Sequence, residues 1–236
     1  MMKRIDFHTH ILPGVDDGAG SKEIALTMLR KLRGSHVDLI VATPHYFSLD
    51  ETPGDFLNRV RPVYEDFAAE TNGRFLLGAE VYLDRSLLLK EDLGDLCIQG
   101  TDLLLVELPV SEYREWMYQT ISGIASVYGV RPVIAHVERV LPRISKKDLE
   151  QLMDIPGICF QFNHTAFDSW KARRFLKQLV KRGYPVFWGS DCHDIESRPP
   201  TDDAGYHKME AWIAKKFGAD FWERILWVQE NELNLH

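Results

Sequence analysis

Leu103-Leu104-Leu105-Val106-Glu107-Leu108-Pro109 is an apolar run of strand length that ends on a carboxylate, and Pro132-Val133-Ile134-Ala135-His136 repeats the pattern with an imidazole at its end. Near-continuous apolar strands are buried on both faces, which favours a parallel sheet covered by helices. Working outward, β-rich runs of the same kind occur at residues 4–8, 37–43, 74–80, 158–163 and 185–189, which with 103–107 and 132–136 make seven predicted strands. Between them lie stretches of helical period. In 21–33, Ile24, Met28 and Leu32 recur one turn apart behind Ser21 as N-cap, and further helices are predicted at 53–71, 112–127, 145–153, 167–181, 203–216 and 220–228. Strands alternating with helices are the rhythm of a parallel α/β architecture. Periodicity leaves both a closed barrel and an open doubly wound sheet available.

A length of 236 residues suits one barrel-sized unit, so a single domain over 1–236 is expected. Hydrophobic residues at 45% and charged residues at 27% supply an ordinary globular core. A net charge of -7 sets nucleic acid aside as a partner, because binding a polyphosphate needs a basic footprint. The start, Met1-Met2-Lys3-Arg4-Ile5-Asp6, turns polar at once, unlike a secretory signal, and no run reaches membrane-spanning length. No membrane insertion is therefore expected. Cys97, Cys159 and Cys192 are odd in number and widely spaced, as free thiols of a reducing, cytoplasmic compartment are.

Polar residues cluster where these strands end: His8 and His10 after the first, His45 after the second, Glu80 the third, Glu107 the fourth, His136 the fifth, Asp191 and His193 the seventh. In parallel α/β architectures that C-terminal edge is where sites are built. One histidine at a strand end is ordinarily structural; their joint placement is not. Glu107 and His136 sit in apolar sequence, where a charge is costly unless paired or bound to metal. Imidazole with carboxylate suits zinc, manganese or iron, whereas an all-oxygen site suits calcium or magnesium. In His8-Thr9-His10 and Asp191-Cys192-His193, residues two apart in extended chain point to one side, and closure would bring the two strings together.

The strings Asp6-Phe7-His8-Thr9-His10-Ile11-Leu12-Pro13-Gly14-Val15-Asp16-Asp17-Gly18, Ala42-Thr43-Pro44-His45, Gly78-Ala79-Glu80, Val106-Glu107, Ile134-Ala135-His136-Val137-Glu138-Arg139 and Ser190-Asp191-Cys192-His193 span most of the chain. In that order they resemble the polymerase and histidinol phosphatase (PHP) superfamily, specifically its bacterial tyrosine phosphatases of capsule and exopolysaccharide systems. The resemblance implies an α/β fold, a distorted seven-stranded (β/α)7 TIM-like barrel, with three divalent metal ions. Manganese comes foremost, with iron, zinc or magnesium as alternatives. His8, His10, Glu80 and Asp191 would hold the first ion, Glu80 as a bridge with Glu107 and His136 the second, and Asp17, His45 and His193 the third. Asp17 enters on the resemblance alone, since Val15-Asp16-Asp17-Gly18 otherwise reads as a turn. Arg139 and Arg198 look like the family's phosphate-binding arginines, whose planar guanidinium can grip two phosphate oxygens. His45 and Asp191 are the candidates for general acid.

Charge arithmetic agrees with phosphate: three divalent ions against Asp17, Glu80, Glu107 and Asp191 leave two positive charges, enough for a phosphomonoester dianion. The implied activity is hydrolysis of phosphotyrosine monoesters by a metal-activated hydroxide. The implied partner is a phosphotyrosine-containing protein, a tyrosine autokinase of polysaccharide export. Two departures stand out: Val137 replaces a proline common in relatives, and His36 fills a turn position often held by glycine, which calls for a left-handed backbone.

Three rival readings remain in view. Cys192, five residues and Arg198 match the Cys-x5-Arg signature of thiol phosphatases, but the intervening His193-Asp194-Ile195-Glu196-Ser197 holds two acids and no glycine, against a phosphate-binding nest and a reactive thiolate. A PHP histidinol-phosphate phosphatase or other small phosphomonoesterase would use the same ligands. A non-catalytic regulatory module should have lost ligands, and all nine are present.

Overall fold

In the computed structural model, which describes residues 4–234, the strands are β1 (Arg4–Thr9), β2 (Val37–Ala42), β3 (His45–Tyr46), β4 (Phe75–Leu77), β5 (Glu80–Tyr82), β6 (Leu103–Glu107), β7 (Arg131–Ile134), β8 (Cys159–Asn163) and β9 (Val186–Gly189). The helices are α1 (Lys22–Gly34), α2 (Pro53–Thr71), α3 (Glu115–Tyr128), α4 (Lys146–Met153), α5 (Trp170–Arg182), α6 (Asp203–Phe217) and α7 (Phe221–Glu232). Every ladder is parallel. The strands form two sheets, β1-β2-β4 and β3-β5-β6-β7-β8-β9.

Nine strand segments thus stand where seven runs are predicted. Two interruptions account for the difference. Pro44 has no N–H to continue a ladder and ends the second run at Ala42, after which His45 and Tyr46 pair with β5. The third run breaks at Gly78-Ala79, where Gly78 N–H donates to Ala42 O and Glu80 N–H to Pro44 O, at 2.9 and 3.0 Å. The chain therefore passes from the first sheet to the second twice, at neighbouring places, returning between them through α2. Between β1 and β9, Asp191 N–H donates to His8 O and His10 N–H to Cys192 O, both at 2.9 Å, and the Phe7 and Phe187 rings stack at 4.1 Å. The result is a mixed α/β fold with parallel sheets.

Alternation along the strands explains why they read as continuous apolar runs. Leu103, Leu105, Val133, Ala135, Cys159, Phe7 and Phe187 pack in one buried cluster between the strands. Leu104, Val106, Ile134, Phe160, Phe162 and Trp188 point the other way, into a second cluster shared with the helices. Continuing the first alternation past Leu105 and Cys159 gives Glu107 and Gln161, so the interior turns polar at the strand ends.

Helix boundaries follow capping chemistry. Ser21 accepts from Ile24 N–H, Thr52 and Asp55 form a reciprocal capping box on α2, and α3 and α5 end on left-handed Gly129 and Gly183. His36 adopts φ of 58°, the left-handed turn its position calls for. Helix α5 starts at Trp170 rather than 167, because 164–168 winds as a 3-10 turn. Among the described residues, no helix is long and apolar enough to cross a membrane.

Candidate metal centre

All nine predicted ligands gather at the C-terminal ends of the strands. His8 Nε2 and His10 Nε2 lie 3.2 Å apart, each 3.1 Å from Glu80 Oε2 and 3.7 Å from Asp191 Oδ1. His45 Nδ1 is 3.2 Å from the same Glu80 oxygen, and Asp17 Oδ1 sits 3.4 Å from His45 Nε2 and 3.3 Å from His193 Nε2. Three overlapping sets of converging ligand atoms result: His8, His10, Glu80 and Asp191; His10, Asp17, His45 and His193; and His45, Glu80 and Glu107. His136 stands just outside the third set, with Nε2 2.9 Å from Glu80 Oε1 and 3.5 Å from Glu107 Oε1. Glu80 and Glu107 thus have two imidazoles beside them, His45 and His136.

Unpartnered polar atoms test whether such a cluster fits ions. Glu80 Oε2, His45 Nδ1, His136 Nδ1 and His193 Nε2 are buried without a hydrogen-bond partner. Glu80 Oε2 is close to three imidazole nitrogens yet aligned for a bond with none of them. Each buried unsatisfied group costs about 1–3 kcal/mol. Glu80 Oε2, His45 Nδ1 and His193 Nε2 lie among the converging atoms without bonding one another, as a coordinated cation requires. An imidazole and carboxylate donor set without thiolate fits borderline divalent ions.

The electrostatics carry the same imprint. Burial would raise the Glu80 carboxyl, but His8, His10 and His136 outweigh it and hold the group well below the usual carboxylate range. Asp191, against its burial, is brought to about 2, chiefly by His8. Burial opposes charge on His10, yet Asp16 and Glu80 raise it to about 10; His136 rises to about 9 in the same way through Glu107 and Glu80. Protons on these rings stand in for positive charge that the carboxylates attract. His193 goes down to about 4, from burial and the charge on His10.

Several supporting residues stand beside the nine predicted ligands. Asp16 accepts from His10 Nδ1 at 2.7 Å, and from Gly18 and His45 N–H at 2.9 and 3.1 Å, so it aims His10 Nε2 at the cluster. Gln161 Oε1 accepts from His136 N–H at 2.6 Å and lies 3.2 Å from His8 Nδ1. Asn163 Nδ2 donates to Asp191 Oδ2 at 3.1 Å. Gln161 and Asn163 are the polar end of the sixth predicted strand, a signal of the same kind as the others. Asp16 had no such signal beyond its neighbour.

Two of the predicted ligands sit on strained backbone: His136 has φ of 29° and Asp191 of 55°, in the region that non-glycine residues rarely occupy. Arg139 Nη2 donates to Asp191 Oδ2, and Arg198 Nη2 to Asp17 Oδ2 at 3.1 Å. Both side chains are 39% exposed, so the two arginines line the mouth of the cluster. Cys192, by contrast, is wholly buried and its thiol is pushed well above the usual range by burial, which removes the Cys-x5-Arg reading.

This chain is similar to proteins of known kind. Tyrosine-protein phosphatase CpsB of Streptococcus pneumoniae is 28% identical over 228 residues, covering 91% of each chain. Tyrosine-protein phosphatase YwqE of Bacillus subtilis is 27% identical over 235 residues, covering 92% of this chain and 86% of that one. A solved structure from the work on YwqE and CpsB, described as unique metal-dependent tyrosine phosphatases, matches with a TM-score of 0.72 at 23% identity, over 98% of this chain and 94% of that one. N-isopropylammelide isopropylaminohydrolase from Burkholderia multivorans matches at 0.53 and 14% identity, over 98% and 72%. At those identities the structural likeness is one of fold. The profile of the capsular polysaccharide synthesis family CpsB/CapC matches residues 4–234, and the chain belongs to that family.

Proposed function

We propose that this chain is a metal-dependent protein-tyrosine phosphatase that hydrolyses phosphotyrosine monoesters. Its substrate is a tyrosine autokinase of capsule or exopolysaccharide synthesis, and its setting is cytoplasmic. The observation that carries the reading is the trio of overlapping ligand sets, two of which share the buried Glu80, whose Oε2 is unsatisfied. The names borne by full-length relatives supply the phosphotyrosine. Residues 1–236 act as one PHP-type domain, in which β2 with β3 and β4 with β5 each count as one stave of a distorted seven-stranded barrel. His8, His10, Glu80 and Asp191 hold one ion; Glu80, Glu107 and His136 a second; Asp17, His45 and His193 a third. Manganese is the foremost candidate for all three.

Ions bound there supply Lewis acidity and bring the pKa of a water toward neutrality. The protein's own groups do the rest. Arg139 and Arg198 exchange their carboxylate partners for phosphoryl oxygens and hold the phosphorus in line. Gln161, Asn163 and Asp16 keep the ligands oriented. Of the two candidates for general acid to the leaving phenolic oxygen, His45 and Asp191, His45 is the more exposed, at 15% against 3%, and it would serve only while one of its nitrogens is free of the third ion.

Phosphate release from a phosphotyrosyl peptide and from histidinol phosphate tests this, for wild type, Cys192→Ser and His136→Ala, with and without chelator. The expected result is peptide turnover that survives Cys192→Ser, disappears on chelation, and falls at least about 100-fold in His136→Ala. Turnover that resists chelator and dies in Cys192→Ser would overturn it, and a preference for histidinol phosphate would move the chain to the small-molecule branch.

A further inference from the structure

Strand β3 alternates sides as extended chain must. His45 faces the ligand cluster, Tyr46 is fully buried with its ring edge-on to Phe56 at 5.5 Å, and Phe47 returns to the His45 side. The Phe47 ring lies 5.5 Å from the His45 ring and 5.6 Å from Tyr82, and Phe47 is 40% exposed. Tyr82 in turn stands opposite Glu107 in the β5–β6 register. An aromatic surface therefore continues outward from the candidate metal ligands into solvent.

This surface is held in place. The Phe47 carbonyl accepts from Asp50 and Glu51 N–H at 3.1 and 3.4 Å, and buried Ser48 donates through Oγ to Asp84 Oδ2 at 2.6 Å. Lys90 Nζ donates to the Ser48 carbonyl, and to that of Glu51 at 3.3 Å. Phe47 belongs to neither buried apolar cluster, so core packing does not explain why so large a ring is fixed at the surface.

We propose that Phe47 and Tyr82 form the wall on which the aryl ring of the substrate packs, and that this wall makes the site select aryl over alkyl phosphomonoesters. The proposal rests on the phosphatase reading and adds the residues that recognise the leaving group. A phosphoryl group held by Arg139 and Arg198 leaves its ester oxygen at the mouth, where only an aromatic substituent gains a stacked face; an alkyl chain gains general apolar contact and no more. Because the loop is pinned, the ring loses little freedom on binding, which favours selectivity.

The test measures equilibrium dissociation constants of phenylphosphonate and methylphosphonate by calorimetry, on manganese-loaded wild type, Phe47→Ala and Phe47→Trp. The expected result is a phenyl-over-methyl preference in wild type that drops about fivefold in Phe47→Ala and returns in Phe47→Trp. An unchanged preference in Phe47→Ala, with manganese stoichiometry and circular dichroism intact, overturns the wall while leaving the phosphatase reading standing. Equal affinity of wild type for both phosphonates overturns it too. Failure of wild type to bind either, together with no phosphate release from any monoester, sinks the phosphatase reading and the wall with it.

Discussion

At Asp16 one carboxylate serves three donors, His10 Nδ1 and the N–H groups of Gly18 and His45, and so sets the tautomer and direction of a histidine shared by two ligand sets. Asp16→Ala is expected to weaken manganese binding about 10- to 100-fold, measured by titration of the metal-free protein, with secondary structure retained. Metal binding unchanged in that variant would refute the orienting role. His164 makes a different prediction. Burial, with the Arg4 charge nearby, pulls its pKa down to about 3 from 6.5, and Nδ1 pairs with Thr201 Oγ1 at 2.9 Å. Below pH 6.5 the unfolded chain binds a proton that the folded chain refuses, so stability present above 6.5 is lost as the pH falls toward 3. Between pH 7.5 and 5.5 in metal-free buffer, wild type should lose about 1.4 kcal/mol more than His164→Gln, read from urea unfolding of both proteins. Equal losses would show that His164 is not held neutral. Neither residue's role was legible in sequence: Asp16 looked like half of a turn, and the environment of His164 comes from distant Arg4 and Thr201.

The joint between β1 and β9 is the element whose spacing the site depends on. A Cβ on Gly189 would lie 2.5 Å from His8 Cβ and 2.9 Å from both His8 N and Gln161 Nε2. Gly189→Ala therefore has to spread the two strands, at a cost of about 1–3 kcal/mol, and to displace His8. Urea unfolding combined with manganese titration should show both losses together; retained metal affinity would mean that the strands can part without moving the ligand. The capping box of α2, which holds none of the candidate ligands, offers a contrast. Thr52→Ala should cost about 1 kcal/mol of stability and leave metal binding alone. At this scale the sequence was informative. The helices begin and end close to their predicted limits because caps and apolar period are local properties. The double interruption at Pro44 and Gly78-Ala79 was missed, because an apolar run does not reveal which neighbour each residue will pair with.

For the molecule as a whole, the candidate ligands come from β1, β3, β5, β6 and the turns after β1, β7 and β9, so an ion held among them would tie the fold together. An ion at about 100 times its dissociation constant adds about 2.7 kcal/mol to the folded state. Chelation should accordingly lower the melting temperature by at least about 5 °C, and by less in His136→Ala; a scan that is indifferent to chelator would count against a bound ion in the resting protein. Alternation of strands and helices, and the polar residues that end the strands, were determined by the sequence alone, since a residue's place along a strand fixes the end and the side on which it lies. Which candidate ligands converge, the hydrogen bonds of Asp16 and Gln161 to the histidines, the burial that silences Cys192, and the aromatic surface at Phe47 and Tyr82 were decided only by the tertiary structure. Those properties depend on distances between residues far apart in the chain, and such distances exist only once the strands are side by side.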